Sequence, residues 1–207
     1  SAVKNVLSLP AIFAQVASSF AEASDSLSDS CNRSTRLKFW IVGDGKLRTQ
    51  LETACSERLL CHCEERSPSR HCEERSDVAI RFFGNQPSSA MPDIMNCIDV
   101  LVLPSLNEGL PLVCAEALSC GAAVVGSDVG GIAEVIGSDN VVPLVSPYDN
   151  DASQGTPSGL PYDDSFVNGM AEKVVAALMG QSPSQTLPAD ISWARTAALE
   201  LAALKSL

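Results

Sequence analysis

Two carboxylates, Glu108 and Glu116, stand with seven residues between them in the run Pro104-Ser105-Leu106-Asn107-Glu108-Gly109-Leu110-Pro111-Leu112-Val113-Cys114-Ala115-Glu116. The apolar stretch Val100 to Leu103 ahead of them reads as a buried parallel strand that ends in a tight turn, and Pro111 suits the first turn of a helix. The first N–H groups of such a helix lack internal partners and carry the positive end of its dipole, so the turn can hold a phosphate or pyrophosphate. Glu108 then precedes the helix, and Glu116 lies about one and a half turns inside it. Helical side chains lean back toward the N-terminus, so both carboxylates can share one mouth. A carboxylate repels phosphate but accepts hydrogen bonds from sugar hydroxyls. The pattern points to a ligand with an anionic middle and hydroxyls at both ends.

The rest of the chain supplies the frame. Leu9, Ile12, Phe13, Val16 and Phe20 recur at three and four residues, which predicts an amphipathic helix with Pro10 in its first turn. A Ser/Asp-rich linker covers Ala23 to Arg36. Strands are expected at Leu37 to Val42, Val78 to Phe83, Val100 to Leu103, Ala123 to Gly126 and Val141 to Leu144. Helices are expected at Lys46 to Leu60, Met91 to Cys97, Pro111 to Leu118 and Gly131 to Ile136, with two more at Phe166 to Met179 and Ile191 to Leu204. Alternation of this kind predicts an α/β fold, a Rossmann-like parallel sheet with helices on both faces. Ligands of such sheets bind beyond the carboxyl ends of the strands. Gly43, Gly84, Asn85, Ser105, Glu108 and Asp128 all follow strands, so one rim should collect them.

Composition narrows the function. A chain of 207 residues with 45% hydrophobic content can bury one sizeable core. Its formal net charge of −11 argues against a nucleic-acid partner or an anionic lipid surface, both of which need clustered Lys and Arg. No uninterrupted apolar run reaches a membrane span and no signal-peptide pattern opens the chain, so the expected compartment is the cytoplasm. Of eight cysteines, Cys97, Cys114 and Cys120 fall in apolar segments where a free thiol acts as a small hydrophobe, which suits a reducing compartment.

Two insertions interrupt the alternation. Residues 61 to 76 carry His62-Cys63-Glu64-Glu65-Arg66-Ser67 and, nine residues on, the same six again from His71 to Ser76. This tract reads as a solvated loop. Cys61, Cys63, Cys72, His62 and His71 offer zinc-compatible ligands, but Cys-x-Cys departs from the usual two-residue gap and duplication alone accounts for the cysteines. Residues 146 to 164, rich in Pro, Gly, Ser and Asp, predict an exposed loop.

Glu108 and Glu116 resemble the E-x7-E motif of retaining glycosyltransferases of family 4, which have the GT-B fold of two Rossmann-like domains. Phe39-Trp40-Ile41-Val42-Gly43-Asp44-Gly45, Phe82-Phe83-Gly84, Asp99 to Ser105, and Ser127-Asp128-Val129-Gly130-Gly131-Ile132-Ala133-Glu134-Val135-Ile136 follow in the order and rough spacing of that family's C-terminal, donor-binding domain. The resemblance runs from about Lys4 to Leu144. It implies that Glu116 accepts hydrogen bonds from the nucleotide's ribose and Glu108 from hydroxyls of the transferred sugar. By the same resemblance Gly109, Leu110 and Pro111 lie beside that sugar, Leu112 and Val113 offer amides to the pyrophosphate, and Asn85 and Gln86 meet the nucleobase, with Ser105 and Gly43 at the same site. Lys4 would neutralise the diphosphate leaving group together with an Arg that lies outside this sequence. The implied donor is a UDP- or GDP-linked sugar, transferred with retention of configuration and without a metal or organic cofactor, in bacterial polysaccharide or glycolipid synthesis. An N-terminal acceptor-binding domain, absent from these 207 residues, would complete the enzyme and provide any contact with the inner membrane face.

Other readings are open on the residues alone. Glu116 also fits a solvated helix carboxylate, and Lys4 an ordinary surface lysine. The whole chain could be a non-catalytic or decayed sugar-nucleotide-binding module. Gly43-Asp44-Gly45 after a strand suggests a dehydrogenase, but Arg48 stands where a dinucleotide fingerprint has its third Gly.

Overall fold

The computed structural model describes residues 4–25, 37–59, 78–144 and 162–185. The repeated tract at 61–76, most of the linker, the 146–161 part of the second insertion and the expected helix Ile191 to Leu204 lie outside the described residues. In chain order the elements are α1 (Leu9–Asp25), β1 (Leu37–Val42), α2 (Arg48–Leu59), β2 (Val78–Gly84), α3 (Met91–Met95), β3 (Val100–Leu103), α4 (Leu112–Ser119), β4 (Ala123–Ser127), α5 (Ile132–Ile136), β5 (Val141–Val142) and α6 (Asp164–Leu178).

Among the described residues the named strands pair in parallel, with one isolated antiparallel bridge at Gly43–Gly84, and the fold is α/β. The strands form two pieces among the described residues, β1-β2 and β3-β4-β5, where the sequence predicts one continuous sheet. Within the three-stranded piece, the pleat divides the side chains between two cores. Val100, Val102, Val125 and Val142 face α1 and α6, joining Ile12, Val16, Phe166 and Met170. Leu101, Leu103, Val124 and Val141 face the opposite way, onto Met95, Cys114, Ala117, Ile132 and Ile136 of α3, α4 and α5. Helices therefore cover both faces. The apolar run of β3 and β4 has no polar alternation because neither face meets water.

Helix α1 meets a length and composition test for a membrane span over Val6–Ala23, with mean hydropathy 1.3, a property that the search for uninterrupted apolar runs overlooks. Here its apolar stripe packs along α6, and Phe13 stacks on Phe39 of β1 with ring centroids 4.2 Å apart. Helix α6 opens at Asp163, whose carboxylate accepts the Phe166 N–H at 2.9 Å, an N-cap.

Two local expectations need correction. Tyr162, inside the stretch expected to be an exposed loop, is buried, and its hydroxyl donates to the Leu7 carbonyl at 3.0 Å, so the insertion ends by anchoring on the start of α1. Cys97 is exposed because it falls in the turn that closes α3, while Cys55 and Cys114 are buried free thiols.

Phe166 is fully buried between α1 and the sheet. Phe166→Ala should lower the unfolding free energy by about 3–5 kcal/mol in urea titrations; a loss below ~1 kcal/mol would mean that this core collapses around the cavity.

Candidate functional site

The carboxyl end of β3 leads into the loop with the most polar contacts. Ser105 is fully buried, and its hydroxyl donates to Glu108 Oε1 at 2.7 Å. The Lys4 ammonium donates to the same oxygen, 104 positions away in the chain, and forms an ion pair with it. Burial alone would raise the Glu108 carboxyl, but the Lys4 and Ser105 hydrogen bonds and the Lys4 charge outweigh it and hold the group below its ordinary value. The neighbouring Cys114 thiol is pushed up to about 11 by burial, with the Glu108 charge adding to the effect.

The loop is braced from β4. The Ser127 hydroxyl donates to the Ser105 carbonyl, and the Gly131 N–H to the Gly109 carbonyl at 2.7 Å. Gly130 lies at φ +55, and a Cβ built there would sit 1.7 Å from the Glu108 carbonyl oxygen. Only glycine fits, on both conformational and steric grounds. The sequence reading places Gly130 and Gly131 in a family pattern without giving them a task; their task is to set the backbone of Glu108 and Gly109. A Gly-Gly pair two residues beyond a strand and just ahead of a helix was the available signal.

Helix α4 starts at Leu112, one residue later than expected, with Pro111 as its N-cap. Pro111 offers no side-chain cap, and the Cys114 N–H is taken by the Pro111 carbonyl at 3.1 Å. The Leu112 and Val113 amides belong to the first turn, where a helix gives no internal partner. Leu110 and Leu112 are 49% and 60% exposed on either side of Pro111. Glu116 is the fifth residue of α4 and is exposed.

A second group follows β1 and β2. The Gly43 N–H donates to the Gly84 carbonyl at 2.8 Å. Gln86 donates from Nε2 to the Phe83 carbonyl at 2.8 Å. Arg48, which the sequence reading used only to weigh against a dinucleotide fingerprint, pairs with Asp44 and Glu52 at 3.3 and 2.8 Å. Lys4, Gly43, Asn85, Gln86 and Val113 line one cavity of about 1060 Å³, together with Arg48. Ser105, Glu108, Gly109, Leu110, Pro111, Leu112 and Glu116 are not among its lining residues. Lys4 joins the two groups, touching Glu108 with its ammonium and lining the cavity. Among the described residues no cluster of three His, Cys, Asp or Glu could hold a metal ion, and the repeated His-Cys tract lies outside them.

Parallel strands between helical layers, with strand-to-helix loops at their carboxyl ends, define an α/β protein with open parallel sheets. The chain belongs to the family of glycosyl transferases group 1, whose model matches residues 17–154. It is similar to the 2-deoxystreptamine N-acetyl-D-glucosaminyltransferase of Streptomyces fradiae, 40% identical over 102 residues that make up 48% of this chain and 20% of that protein. It is also similar to the alpha-maltose-1-phosphate synthase of Mycobacterium tuberculosis, 36% identical over 103 residues, 49% of this chain and 26% of that protein. The matched segment thus spans about a fifth to a quarter of these relatives. A solved GtfA/B complex overlays on 87% of this chain and 33% of its own, with TM-score 0.44 and 18% identity.

Two outcomes test this geometry. Gly130→Ala should cost at least about 1–3 kcal/mol from its backbone conformation alone, while Gly45→Ala, with open space around its Cβ, should leave the melting temperature nearly unchanged; equal effects would contradict the bracing role. The depressed Glu108 carboxyl contributes stability that is present above its unfolded value of about 4.3 and is lost as pH falls through the lower folded value. The melting-temperature gap between wild type and Glu108→Gln should therefore be open at neutral pH and close in the acid range below ~4; a gap independent of pH would rule out the charged pair.

Proposed function

We propose that this chain is the donor-binding part of a retaining, family 4 glycosyltransferase of GT-B type, which takes a nucleotide diphosphate sugar and passes the sugar to an acceptor held by a further domain. The observation that carries the reading is the set formed by Lys4, Ser105 and Glu108 at the N-terminal end of α4. It joins a cation from the start of the described chain to an oriented carboxylate in the loop that leads to the open first-turn amides, the three recognition elements that a diphosphate joined to a sugar requires. The two relatives' names speak of an N-acetylglucosaminyltransferase and a maltose-1-phosphate synthase, both of which handle sugars.

In this scheme Leu112 and Val113 donate amides to the pyrophosphate, and Lys4 leaves Glu108 for the leaving diphosphate as negative charge develops there. Glu108, released, accepts from hydroxyls of the transferred sugar beside Gly109, Leu110 and Pro111. Glu116 accepts from the ribose. Asn85, Gln86 and Gly43 meet the base, and UDP or GDP are the diphosphates expected. The exchange of partners at Glu108 gives the reading a mechanical content: the same lysine that neutralises the carboxylate in the free chain neutralises the phosphates in the complex. A cytoplasmic setting and a bacterial polysaccharide or glycolipid pathway go with this reading.

Calorimetric titration with UDP, GDP, ADP and their sugar conjugates tests it. Glu116→Ala should weaken bare diphosphates and conjugates alike, by about tenfold for one charged hydrogen-bond acceptor. Glu108→Ala should weaken the conjugates more than the bare diphosphates. Equal losses for both ligand classes in both variants would contradict the assignment.

A further inference from the structure

The Lys4 ammonium reaches Glu108 from a segment whose backbone is closely tied. Asn5 stands in a left-handed conformation, φ 47, and its carbonyl accepts both the N–H and the hydroxyl of Ser8, at 3.1 and 2.8 Å. These bonds close the short helical turn Val6–Ser8 into a hook with Lys4 at its tip. In the middle of the hook, the Leu7 carbonyl accepts the Tyr162 hydroxyl at 3.0 Å, a contact between residues 155 positions apart. Tyr162 is itself well fixed. It directly precedes Asp163, the N-cap of α6, and it is buried in the same core cluster as Val167, the fourth residue of that helix. Apolar side chains at these two positions form a hydrophobic staple, which sets the angle at which the chain enters a helix. Phe166, between them, is fully buried, and its N–H is held by the Asp163 carboxylate. Burial pushes the Tyr162 hydroxyl above its ordinary value, with the Arg58 charge opposing, so it remains a donor through neutral pH. Phenylalanine would fill the same core, so the hydroxyl's distinct contribution is its hold on the Leu7 carbonyl.

We propose that Tyr162 is a positioning residue for the Glu108 site: by holding the Leu7 carbonyl it sets where the backbone of Lys4 stands, and so how closely the ammonium meets Glu108. A lysine side chain is long and flexible, so its charge is delivered to one carboxylate oxygen only when its backbone is fixed nearby. The hydroxyl acts three residues away from Lys4, on a turn already closed by the two Ser8 bonds, so a shift of Leu7 is passed to the tip of the hook. The entry to α6 thereby becomes part of the site, although Tyr162 brings no charge to it. The consequence for donor binding rests on the reading of Lys4 as the cation that meets the diphosphate.

The Glu108 carboxyl reports the place of Lys4 without any ligand. Against burial, which raises it, the Lys4 and Ser105 hydrogen bonds and the Lys4 charge hold it low, and the facing Cys114 thiol, at about 11, stays neutral while the carboxyl titrates. Its titration is followed through the side-chain carboxyl carbon resonance in wild type, Lys4→Met, Tyr162→Phe and the double variant. Lys4→Met should move the titration to higher pH. Tyr162→Phe should move it the same way by less, and should add nothing once Lys4 is replaced. Val174→Ala, which thins the same core on α6, should lower the melting temperature and leave the titration in place. An unmoved titration in Lys4→Met or in Tyr162→Phe would overturn the proposal, as would an equal movement in Val174→Ala or an undiminished effect of Tyr162→Phe without Lys4. Calorimetry with UDP then separates this positioning from the donor reading. Tyr162→Phe should weaken UDP roughly threefold when Lys4 is present, as for one lost hydrogen bond, and not at all in the Lys4→Met chain. A titration coupled to both residues, with UDP affinity indifferent to either, would uphold Tyr162 as the positioner of Lys4 and overturn the diphosphate role of Lys4.

Discussion

The constraint on which the rest depends is the double burial of β4. Val124 and Val125 are both fully buried, on opposite faces, so the strand can exist only between two helical layers. The described strands pair in parallel, so each connection crosses a face of the sheet and returns, and the strand-to-helix loops gather at the carboxyl rim. The β3 and β4 loops are neighbours because the two strands pair in parallel. Ser127 and Gly131 reach Ser105 and Gly109 because their strands pair in register, Val100 with Ala123 through Leu103 with Gly126.

The second layer of organisation is electrostatic. A chain of formal charge −11 places a lysine against the carboxylate of Glu108, and thereby ties its first described residue to a loop more than a hundred positions away. The pair is half exposed on the lysine side, so its direct contribution to stability is small. Its larger effect is positional. It holds residue 4 against the loop after β3, at the lining of the cavity of about 1060 Å³.

The sequence made strands easy to place and their partnership hard. Leu37–Val42 and Val100–Leu103 are bounded as expected, since each apolar run opens after a charged residue, Arg36 or Asp99, and closes before Gly43 or Pro104. Helix α2 starts two residues later than expected, because Lys46 and Leu47 are used in the turn after Gly45. The break between the two sheet pieces was not legible, because pairing is a long-range property and periodicity reports only local burial. At the site, the loop and its carboxylate were readable from residue types. The partner of Lys4 and the contact of Gly130 were not: the first spans 104 positions, and the second depends on how close two loops come once β3 and β4 have paired. Tyr162 misled for a related reason, since one aromatic in a Pro/Gly/Ser-rich stretch carries no periodic signal.

The fold provides parallel strands packed between helices, a braced loop and a helix end with two open amides. The central claim is that this helix end receives the diphosphate of a sugar nucleotide. Backbone amide resonances followed during titration with UDP and GDP test it most directly. The account predicts that Leu112 and Val113 shift most, and that the Lys4 ammonium shifts with them as it leaves Glu108. Diphosphate binding that leaves these amides unmoved while others respond, or no response from either nucleotide, would contradict it.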